Sequence, residues 1–400
     1  MHDLLVIGGG PAGATCARRA AEKGLDVVLV EKAVHPREKP CGGALSPRVI
    51  DLLDFDVSHL FEREYQGALL HTPAGKQTVL THDGFKGYLI QRSKFDDFLV
   101  KKAIEAGVEV IQGIEVVAIE QLRTGIRALG VGDSYKAHIL VGADGVNGIT
   151  SKQLRIRDKW DSDSVALCIN AEVPMNPSDI EQVMAPKGDH SLTVLDLYFG
   201  LVELGYGWCF PLRESLNIGI GCRADKAQGL RDKWERLISH IEKTKGCKLE
   251  IAGEKSARVP AGGVNGRYVA RRSMLIGDAA GLASPVSGEG ISYAIESGIL
   301  AADVAFDAVR EKSSVRITSY EQKLKEGLLR ELKMMRSITS ILYKSNANIE
   351  LICRIANEDS VMREYLTDIL ARVKPNADLW NQVRKRMFLH HPLMAIRLGL

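Results

Sequence analysis

The 400-residue chain lacks several features that would place it in a specialised class of proteins. No apolar run reaches the ~20 residues that a membrane-spanning helix needs, so any membrane contact should be peripheral. The net charge is only +3, so no nucleic-acid partner is expected. No basic leader with a cleavage site precedes the apolar stretch that begins at Asp3. We therefore expect a cytoplasmic protein, with any membrane contact at the inner face.

Cysteine and histidine also lack the patterns that would define a stapled or metal-binding protein. The seven cysteines are odd in number, and their spacing fits neither a disulfide framework nor a zinc site. The histidines have no metal-ligand spacing, so no metal site is expected. A reducing compartment is the usual setting for such a chain. Neither a nucleophile elbow nor a P-loop is present.

Glycine is abundant, at 38 residues, and its clusters indicate places where the backbone closely approaches a ligand. The most informative cluster is Gly-Gly-Gly-Pro-Ala-Gly at residues 8–13. Gly8 permits a tight turn, Gly10 lets the backbone approach a pyrophosphate, and Gly13 lets a helix pack closely on a strand. The free N–H groups at the start of that helix favour negative phosphates.

The elements around this turn predict a βαβ unit. Leu4–Ile7 is a predicted buried strand, Pro11–Lys23 a helix and Asp26–Glu31 a second buried strand. Glu31 ends the second strand about 20 residues after the turn, where a carboxylate can accept hydrogen bonds from ribose hydroxyls. The pattern predicts a Rossmann-like domain that binds the ADP half of a dinucleotide.

A second glycine-rich motif begins at Gly277-Asp278, directly after the predicted strand Ser273–Ile276. It continues to Gly290-Ile291, where a helix of about twenty residues is predicted. An Asp after a strand is by itself more often a helix cap. Together with the first motif, it predicts a carboxylate at the sheet edge where ligands gather.

Two further motifs relate the chain to a family. With Arg92 and Gly142-Ala143-Asp144-Gly145 between them, the glycine motifs resemble those of p-hydroxybenzoate-hydroxylase-type flavoproteins. Within that superfamily, the segments KPCGGA at residues 39–44 and YGWCFP at residues 206–211 resemble the geranylgeranyl reductase family, closest to the archaeal digeranylgeranylglycerophospholipid reductases. The chain departs from many relatives at Gly148, where they carry Ser.

The resemblance implies FAD as the cofactor and a set of contacts along its length. Ala12 and Glu31 would meet the ADP half, and Arg92 the phosphate or ribose region. The backbone at Val116 would meet the adenine, and Asp278 the ribityl-pyrophosphate part. The residues near the flavin ring would be Cys41, Gly42, Ala44, Gly290 and Ile291.

Cys41 allows two interpretations. A cysteine is often a small buried hydrophobe, which would make it a packing residue. Its position in a glycine-flanked loop favours a catalytic role instead. In that hypothesis its thiol adjoins the reacting alkene and either positions the alkene or supplies a proton.

Tyr206, Trp208 and Phe210 alternate along a predicted strand and should therefore share one face. Ordinary sheet packing is one explanation. The other is an apolar wall that binds a long hydrocarbon substrate, because an isoprenoid offers few polar groups for recognition.

The resemblance also implies a domain organisation and a fold class. The fold is expected to be α/β, or α+β overall, with a Rossmann-like FAD-binding domain, an antiparallel-sheet substrate domain and a helical C-terminal region. The β-like runs Val165–Val173, Ser191–Leu204 and Leu216–Gly221 support the second part. The expected domains are residues 1–60, 85–160 and 266–310 for FAD, residues 61–84 and 161–265 for substrate, and residues 311–400 for the helical region.

The implied function is FAD-dependent reduction of C=C bonds in geranylgeranyl chains of archaeal-type ether phospholipids, with hydride from flavin N5. Two alternatives stay open: a flavin-dependent monooxygenase or halogenase of the same fold, and a non-catalytic flavoprotein that binds prenyl lipids. The electron donor is NAD(P)H, a ferredoxin or another reductant. The sequence leaves the proton donor, the oligomeric state, the bonds reduced and the choice between free diphosphate and glycerolipid open.

The C-terminal segment mixes basic and apolar residues from Arg384 to Leu398. A packed helix with a solvated basic edge is the simpler interpretation. Contact with an anionic membrane surface, where phospholipid substrates reside, is the alternative. Pro375 and Pro392 are predicted to interrupt the helices of this region.

Overall fold

The computed structural model describes residues 1–186, 192–261, 266–373 and 376–400. Ser191, the first residue of one predicted strand, and Pro375, a predicted helix break, lie outside the described residues. The chain forms two compact units. The first comprises residues 1–39, 92–164 and 259–333, and the second comprises residues 40–91, 165–258 and 334–400. This division into two units does not test the three functional domains expected from the sequence, which stay a prediction.

Helices and strands are mixed along the described residues, which confirms the predicted α/β class. The strands are β1 (His2–Ile7), β2 (Val27–Glu31), β3 (Ala44–Leu45), β4 (Phe61–Tyr65), β5 (Ala68–His71), β6 (Gln77–Leu80), β7 (Gly87–Ile90), β8 (Glu109–Gln112), β9 (Val116–Gln121), β10 (Ile126–Gly130), β11 (Ser134–Gly142), β12 (Ala166–Pro174), β13 (Leu195–Tyr198), β14 (Gly205–Pro211), β15 (Ser215–Arg223), β16 (Lys255–Val259), β17 (Val269–Ala270) and β18 (Ser273–Leu275). The helices are α1 (Pro11–Glu22), α2 (Pro47–Leu52), α3 (Arg92–Glu105), α4 (Thr150–Gln153), α5 (Pro177–Met184), α6 (Leu230–Lys245), α7 (Gly277–Ala280), α8 (Ile291–Arg310), α9 (Thr318–Glu326), α10 (Leu328–Leu342), α11 (Asn346–Glu358), α12 (Ser360–Ala371), α13 (Asn376–His390) and α14 (Pro392–Leu398).

The first unit is built on a largely parallel sheet in the order β17-β18-β11-β1-β2-β8. Strands β2 and β11 flank β1 in parallel, as a βαβ unit requires. These central strands are buried apolar runs, because α1 and α8 pack on one face of the sheet and residues of β9 and β10 pack on the other. The sequence predicts a single strand over Val108–Ile119. The structure has two strands there, β8 and β9, because residues 113–115 interrupt the pairing.

The second unit contains a seven-stranded sheet in the order β16-β12-β15-β14-β13-β5-β6. Strands β12 to β15 form the antiparallel layer expected from the sequence. One pair differs, because β5 runs parallel to β13. These two strands come from distant parts of the chain, so no hairpin turn constrains their direction.

A buried ion cluster ties β5, β13 and α6 together on one face of this sheet. The Asp196 carboxylate is fully buried and lies 2.5 Å from His71 Nε2 and 2.7 Å from Lys245 Nζ. The His71 ring also stacks on Tyr198, with centroids 4.2 Å apart. A buried carboxylate is tolerated only when it is paired in this way, so the cluster specifies how these elements meet.

The other face of the same sheet packs against α10–α12. Leu70, Leu197 and Phe210 share a core with Ile349 and Cys353 of α11. Side chains alternate across a strand, so this face carries different residues from the ion cluster. The C-terminal region is helical as predicted, and none of its helices, or of those elsewhere in the described residues, is long and apolar enough to cross a bilayer.

Candidate functional site

The glycine turn of the first unit is packed so tightly that larger residues are excluded at two positions. Gly8 has a φ of +106°, and a Cβ there would lie 2.3 Å from the Ala143 carbonyl oxygen. A Cβ at residue 13 would lie 1.9 Å from the Gly8 carbonyl oxygen. At Gly10 the nearest atom that a Cβ would meet is Arg37 Nη2, at 3.5 Å. Of these three glycines, Gly10 is therefore the one that has room beside its Cα.

The start of α1 has the features of an anion site. Gly10 is its N-cap and makes no side-chain capping bond, and the first turn contains no acidic residue. The N–H groups there have no side-chain acceptor, and the helix dipole favours negative charge at this end. Ala12 is buried in this first turn. The turn and the helix thus form a cradle that fits a pyrophosphate.

Glu31 lies beside this cradle with its carboxylate already oriented. Its Oε2 accepts from the Gly9 N–H at 2.5 Å, and its Oε1 accepts from the Ala33 N–H at 2.9 Å. Arg37 Nε lies 3.9 Å from Oε1. Each carboxylate oxygen can accept more than one hydrogen bond, so Glu31 can also receive a ribose hydroxyl.

Arg92 is held by a buried acid that sequence reasoning did not select. Two guanidinium nitrogens of Arg92 donate to Asp96 at 2.8 and 2.9 Å. Arg37 Nη2 lies 3.2 Å from the same carboxylate, which is fully buried. Asp96 therefore gathers two arginines near the cradle. Its place four residues after Arg92 was a readable signal, because such pairs face each other on a helix.

His35 is a second residue that sequence reasoning missed. It is buried, and neither ring nitrogen has a hydrogen-bond partner within the described residues. A Cβ at residue 9 would lie 3.3 Å from its Nε2, so the ring faces the glycine turn. Burial, followed by the positive charge of Arg37, lowers its pKa. Nothing in the local sequence distinguishes this histidine from an ordinary loop residue.

The second glycine motif packs directly on the first. Gly277 begins α7, and a Cβ there would lie 2.8 Å from Ala12 Cβ. A Cβ at residue 290 would lie 3.6 Å from Asp278 Oδ1, so these two residues are neighbours. Gly290 is the N-cap of α8, and Ile291 is its first residue. The second motif therefore meets Ala12 at Gly277, and Gly290 lies beside Asp278 within the same unit.

The departure at Gly148 has a steric explanation. A Cβ at this position would lie 2.1 Å from the carboxyl carbon of Asp144, so the carboxylate occupies the space that a serine side chain would need. Thr150 supplies a hydroxyl instead, because its N–H and Oγ1 both donate to Asp144 Oδ2 at 2.8 Å. Burial raises the pKa of Asp144, and the bonds from Thr150 partly oppose that shift.

Val116 is the remaining predicted FAD contact of the first unit. It begins β9, is buried and pairs with Gly130 of β10. Its contact with adenine stays a prediction.

In the second unit, Cys41 lies in a loop that is hydrogen-bonded on both sides. Its carbonyl oxygen accepts from Asn217 Nδ2 at 2.9 Å, and its Sγ accepts from the Gly43 N–H at 3.4 Å. Gly43 has a φ of +75° and receives the Ile90 N–H on its carbonyl at 2.9 Å. Ala44 then enters β3. Cys41 is half-buried in this fixed loop.

Tyr206, Trp208 and Phe210 form a continuous aromatic stripe on one face of β14. Their ring centroids are 6.2 Å and 6.4 Å apart in order. Their partners on β15 are Gly221, Gly219 and Asn217. A Cβ at residue 219 would lie 2.1 Å from Trp208 Cζ2, so the Trp208 indole occupies the space that a side chain on residue 219 would need.

The Cys41 loop rests directly on this stripe. A Cβ at residue 42 would lie 2.7 Å from Phe210 Cε2 and 3.5 Å from Trp208 Nε1. The two segments that carried the family resemblance, far apart in sequence, therefore meet within one unit. Burial raises the pKa of the Tyr206 hydroxyl, with smaller contributions from Cys168 and Cys41.

Phe199 and Tyr343 extend the apolar surface beyond Tyr206. The Phe199 ring lies 5.9 Å from Tyr206 and 6.3 Å from Tyr343, measured between centroids. Such spacings are typical of packed aromatic clusters. Within the described residues, no group of three His, Cys, Asp or Glu side chains could hold a metal ion.

The predicted flavin-ring residues are divided between the units. Gly290 and Ile291 belong to the first unit, whereas Cys41, Gly42 and Ala44 belong to the second. Each group is well defined within its own unit. Their common position at one ring stays a prediction.

Comparison with known proteins places this geometry in context. A family model described as an FAD binding domain matches residues 1–326. A digeranylgeranylglycerophospholipid reductase of Methanothrix thermoacetophila is 30% identical over 351 residues, which cover 82% of this chain and 84% of that protein. The structure of a geranylgeranyl bacteriochlorophyll reductase-like protein from Thermoplasma acidophilum has a TM-score of 0.79 at 24% identity, covering 100% of this chain and 98% of that one. A flavin-dependent brominase shares the fold, with a TM-score of 0.73 at 20% identity over 96% of this chain and 98% of its own.

The open space at Gly10 generates a specific prediction about cofactor binding. In Gly10→Ala the added methyl meets Arg37 Nη2 at an ordinary distance, and alanine is a poorer N-cap than glycine, so the apoprotein should lose at most about 1 kcal/mol of stability. The methyl would fill the side of the turn that faces the pyrophosphate, so FAD affinity should fall at least about tenfold, or about 1.4 kcal/mol. Flavin fluorescence titration and thermal melting of the apoprotein measure the two quantities.

Gly266→Ala is the matched control, because a Cβ there has no atom of the described residues within 4 Å. It should change neither quantity. Gly13→Ala should instead destabilise the apoprotein itself, since its Cβ would overlap the Gly8 carbonyl. Unaltered FAD affinity in Gly10→Ala would contradict the assignment of this turn as the pyrophosphate cradle.

Proposed function

Because the chain belongs to the geranylgeranyl reductase family of FAD-dependent oxidoreductases, we propose that it reduces isolated C=C bonds in the geranylgeranyl chains of archaeal-type ether phospholipids. The family, the FAD cofactor and the oxidoreductase class predicted from the sequence are confirmed by these matches. The substrate is the part we propose. The observation that carries it is the meeting of the Cys41 loop with the aromatic stripe in the second unit.

The aromatic stripe suits a substrate that has little besides hydrocarbon to recognise. Tyr206, Trp208 and Phe210 follow one another along one strand face, with Phe210 buried and the other two half-buried, and half-buried Phe199 continues the apolar cluster. Burying an isoprenoid chain there would contribute about 0.8 kcal/mol for each CH₂ removed from water. A polar substrate would gain much less from this wall, so the geometry favours a prenyl chain.

Cys41 is our candidate for the residue that acts on the alkene. Bound FAD, once reduced by two electrons, would supply from N5 the hydride that one alkene carbon receives. The other carbon needs a proton, and the half-buried Cys41 thiol lies on the loop that contacts Phe210 and Trp208. The loop's hydrogen bonds limit its motion, which suits a group that must be held against a weakly reactive double bond.

Each double bond consumes two electrons, so the flavin must be re-reduced by an external donor. We propose that NAD(P)H, a ferredoxin or another reductant fills this role in the reaction cycle.

Reduction of the lipid is tested with protein reduced by dithionite and kept without oxygen. Incubation with a geranylgeranyl glycerophospholipid should give products heavier by steps of two hydrogens in mass spectrometry. A parallel incubation with geranylgeranyl diphosphate identifies which head group is accepted. Oxygen incorporation in air would favour the monooxygenase or halogenase alternative, and bound lipid of unchanged mass would favour a non-catalytic lipid carrier.

Cys41→Ala in the same assay tests the role of the thiol. We expect FAD to stay bound and turnover to fall about 10²-fold, a typical effect of losing a general acid. Cys247→Ala is the matched control, because Cys247 is another half-buried free cysteine of the same unit. Equal turnover in Cys41→Ala and the wild type would remove Cys41 from the mechanism.

The C-terminal helices offer a surface for an anionic membrane. Four of their apolar side chains are exposed to 47–82%. Arg386 and His391 are not available for lipid, because both bind Asp359 at 2.7–3.0 Å. These bonds hold the pKa of Asp359 well below its usual range, although burial opposes the shift. The exposed apolar residues are Phe388, Leu389, Leu393 and Ile396, and the exposed basic residues beside them are Arg384, Lys385 and Arg397.

We propose that this surface brings the protein to the inner face of the membrane, where a phospholipid substrate resides. The helices themselves are fixed to the fold by the Asp359 bonds, so the surface is preformed. A cytoplasmic location agrees with the seven cysteines, all of which are free.

Vesicle sedimentation of a double variant tests this surface. Leu393→Ser with Ile396→Ser should reduce binding to anionic vesicles severalfold, because both side chains are exposed on α14. Val131→Ser with Val315→Ser is the control, since these valines are equally exposed elsewhere in the chain. Binding that equals the wild type in both double variants would contradict a membrane role for the C-terminal helices.

A further inference from the structure

Asn217 links the aromatic stripe to the Cys41 loop. It lies on β15, is only 2% exposed and faces the same side of the sheet as Phe210, its partner on β14. Its Oδ1 accepts from Trp208 Nε1 at 2.9 Å, and its Nδ2 donates to the Cys41 carbonyl oxygen at 2.9 Å. One amide therefore bonds to both segments at once.

The two partners require a side chain that both accepts and donates a hydrogen bond, as the amide of Asn217 does. An indole N–H can only donate, and a backbone carbonyl can only accept. The side chain between them must offer an acceptor on one side and a donor on the other. A carboxylate of the same shape has no donor for the Cys41 carbonyl, and a leucine of similar volume has neither group. The two bonds also determine which way the Asn217 amide points.

Asn217 is the residue that holds the Cys41 end of the loop by a hydrogen bond, because the rest of the loop is held by other contacts. Gly43 is held separately, because its carbonyl accepts from the Ile90 N–H. Gly42 between them contacts the ring of Phe210. Among the described residues, the other printed hydrogen bond of Cys41 is the one that its thiol accepts from the neighbouring Gly43 N–H, so loss of Asn217 would leave the Cys41 carbonyl untethered.

We propose that Asn217 is a positioning residue that sets the Cys41 thiol and the Trp208 indole relative to each other. This inference rests on the proposed function, in which the prenyl chain lies along the aromatic stripe and Cys41 acts on its alkene. A misplacement of about 1 Å at a reacting centre can cost about 10²-fold in rate. The hydrogen bonds of Asn217 should therefore matter for turnover.

The test uses the FAD-loaded full-length protein and two variants, Asn217→Leu and Asn217→Ser. The first readout is the alkylation rate of Cys41 by iodoacetamide, followed on its own peptide by mass spectrometry. We expect the rate to rise severalfold in both variants, because the loop loses its tie. The second readout is lipid reduction, in which kcat should fall about tenfold or more while KM changes little, since the aromatic wall remains.

Asn348→Leu is the control for a general loss of stability. Asn348 is another buried asparagine of the second unit, and its Nδ2 donates to the Ile341 carbonyl at 2.7 Å. This variant should melt at a lower temperature and leave Cys41 alkylation unchanged. If Asn217→Leu does not fold, the smaller Asn217→Ser carries the test, because it removes the amide without adding an apolar group.

The outcomes separate this inference from the proposed function. A wild-type protein that reduces no geranylgeranyl lipid would refute the proposed function, and the alkylation rates would still decide whether Asn217 holds Cys41. Unchanged alkylation in both Asn217 variants would overturn the positioning role. Faster alkylation with an unchanged kcat would overturn its importance for turnover.

Discussion

Both candidate sites depend on one constraint. At several glycines, backbone or ring atoms lie so close that no Cβ would fit. In the first unit the helix α1 can press against the turn before it only because residue 13 has no side chain. In the second unit the absent side chains at residues 42 and 219 let Phe210 and Trp208 lie flat against the loop and the neighbouring strand. The glycines therefore create the surfaces on which other residues act.

The two sites differ in how completely their polar groups are satisfied. In the first unit, His35 and Asp144 Oδ1 are buried without a hydrogen-bond partner among the described residues. Buried polar groups are costly when unpaired, so such atoms beside a glycine turn are expected where a polar cofactor binds. In the second unit, both polar atoms of Asn217 are paired within the protein. That difference suits a polar dinucleotide in one unit and a hydrocarbon in the other.

Much of the fold was predictable because its signals are local. The strand, glycine turn and helix at residues 4–23 follow from neighbouring residues, and the structure has them within one or two residues of the prediction. The alternation of Tyr206, Trp208 and Phe210 likewise specifies one strand face. The split of Val108–Ile119 and the parallel pairing of β5 with β13 depend on distant contacts, which local periodicity does not encode.

Two of the missed residues, Asn217 and His35, share that property. Asn217 stands in an ordinary strand sequence, and only folding brings it 2.9 Å from a carbonyl 176 residues earlier in the chain. His35 is similarly identified as a candidate site residue by the burial of its ring against Gly9, which the local sequence does not indicate. The sequence could indicate that residues 39–44 and 206–211 belong to one family pattern, but not that the first segment rests on the second.

The central claim is that a prenyl chain lies along the aromatic stripe beside Cys41. Photo-crosslinking with a geranylgeranyl lipid that carries a diazirine tests it most directly, because the labelled peptides can be mapped by mass spectrometry. The account predicts crosslinks on the peptides that contain residues 206–211 and 39–44, and their loss when unlabelled geranylgeranyl lipid is added in excess. Competed crosslinks found only on other peptides would contradict it.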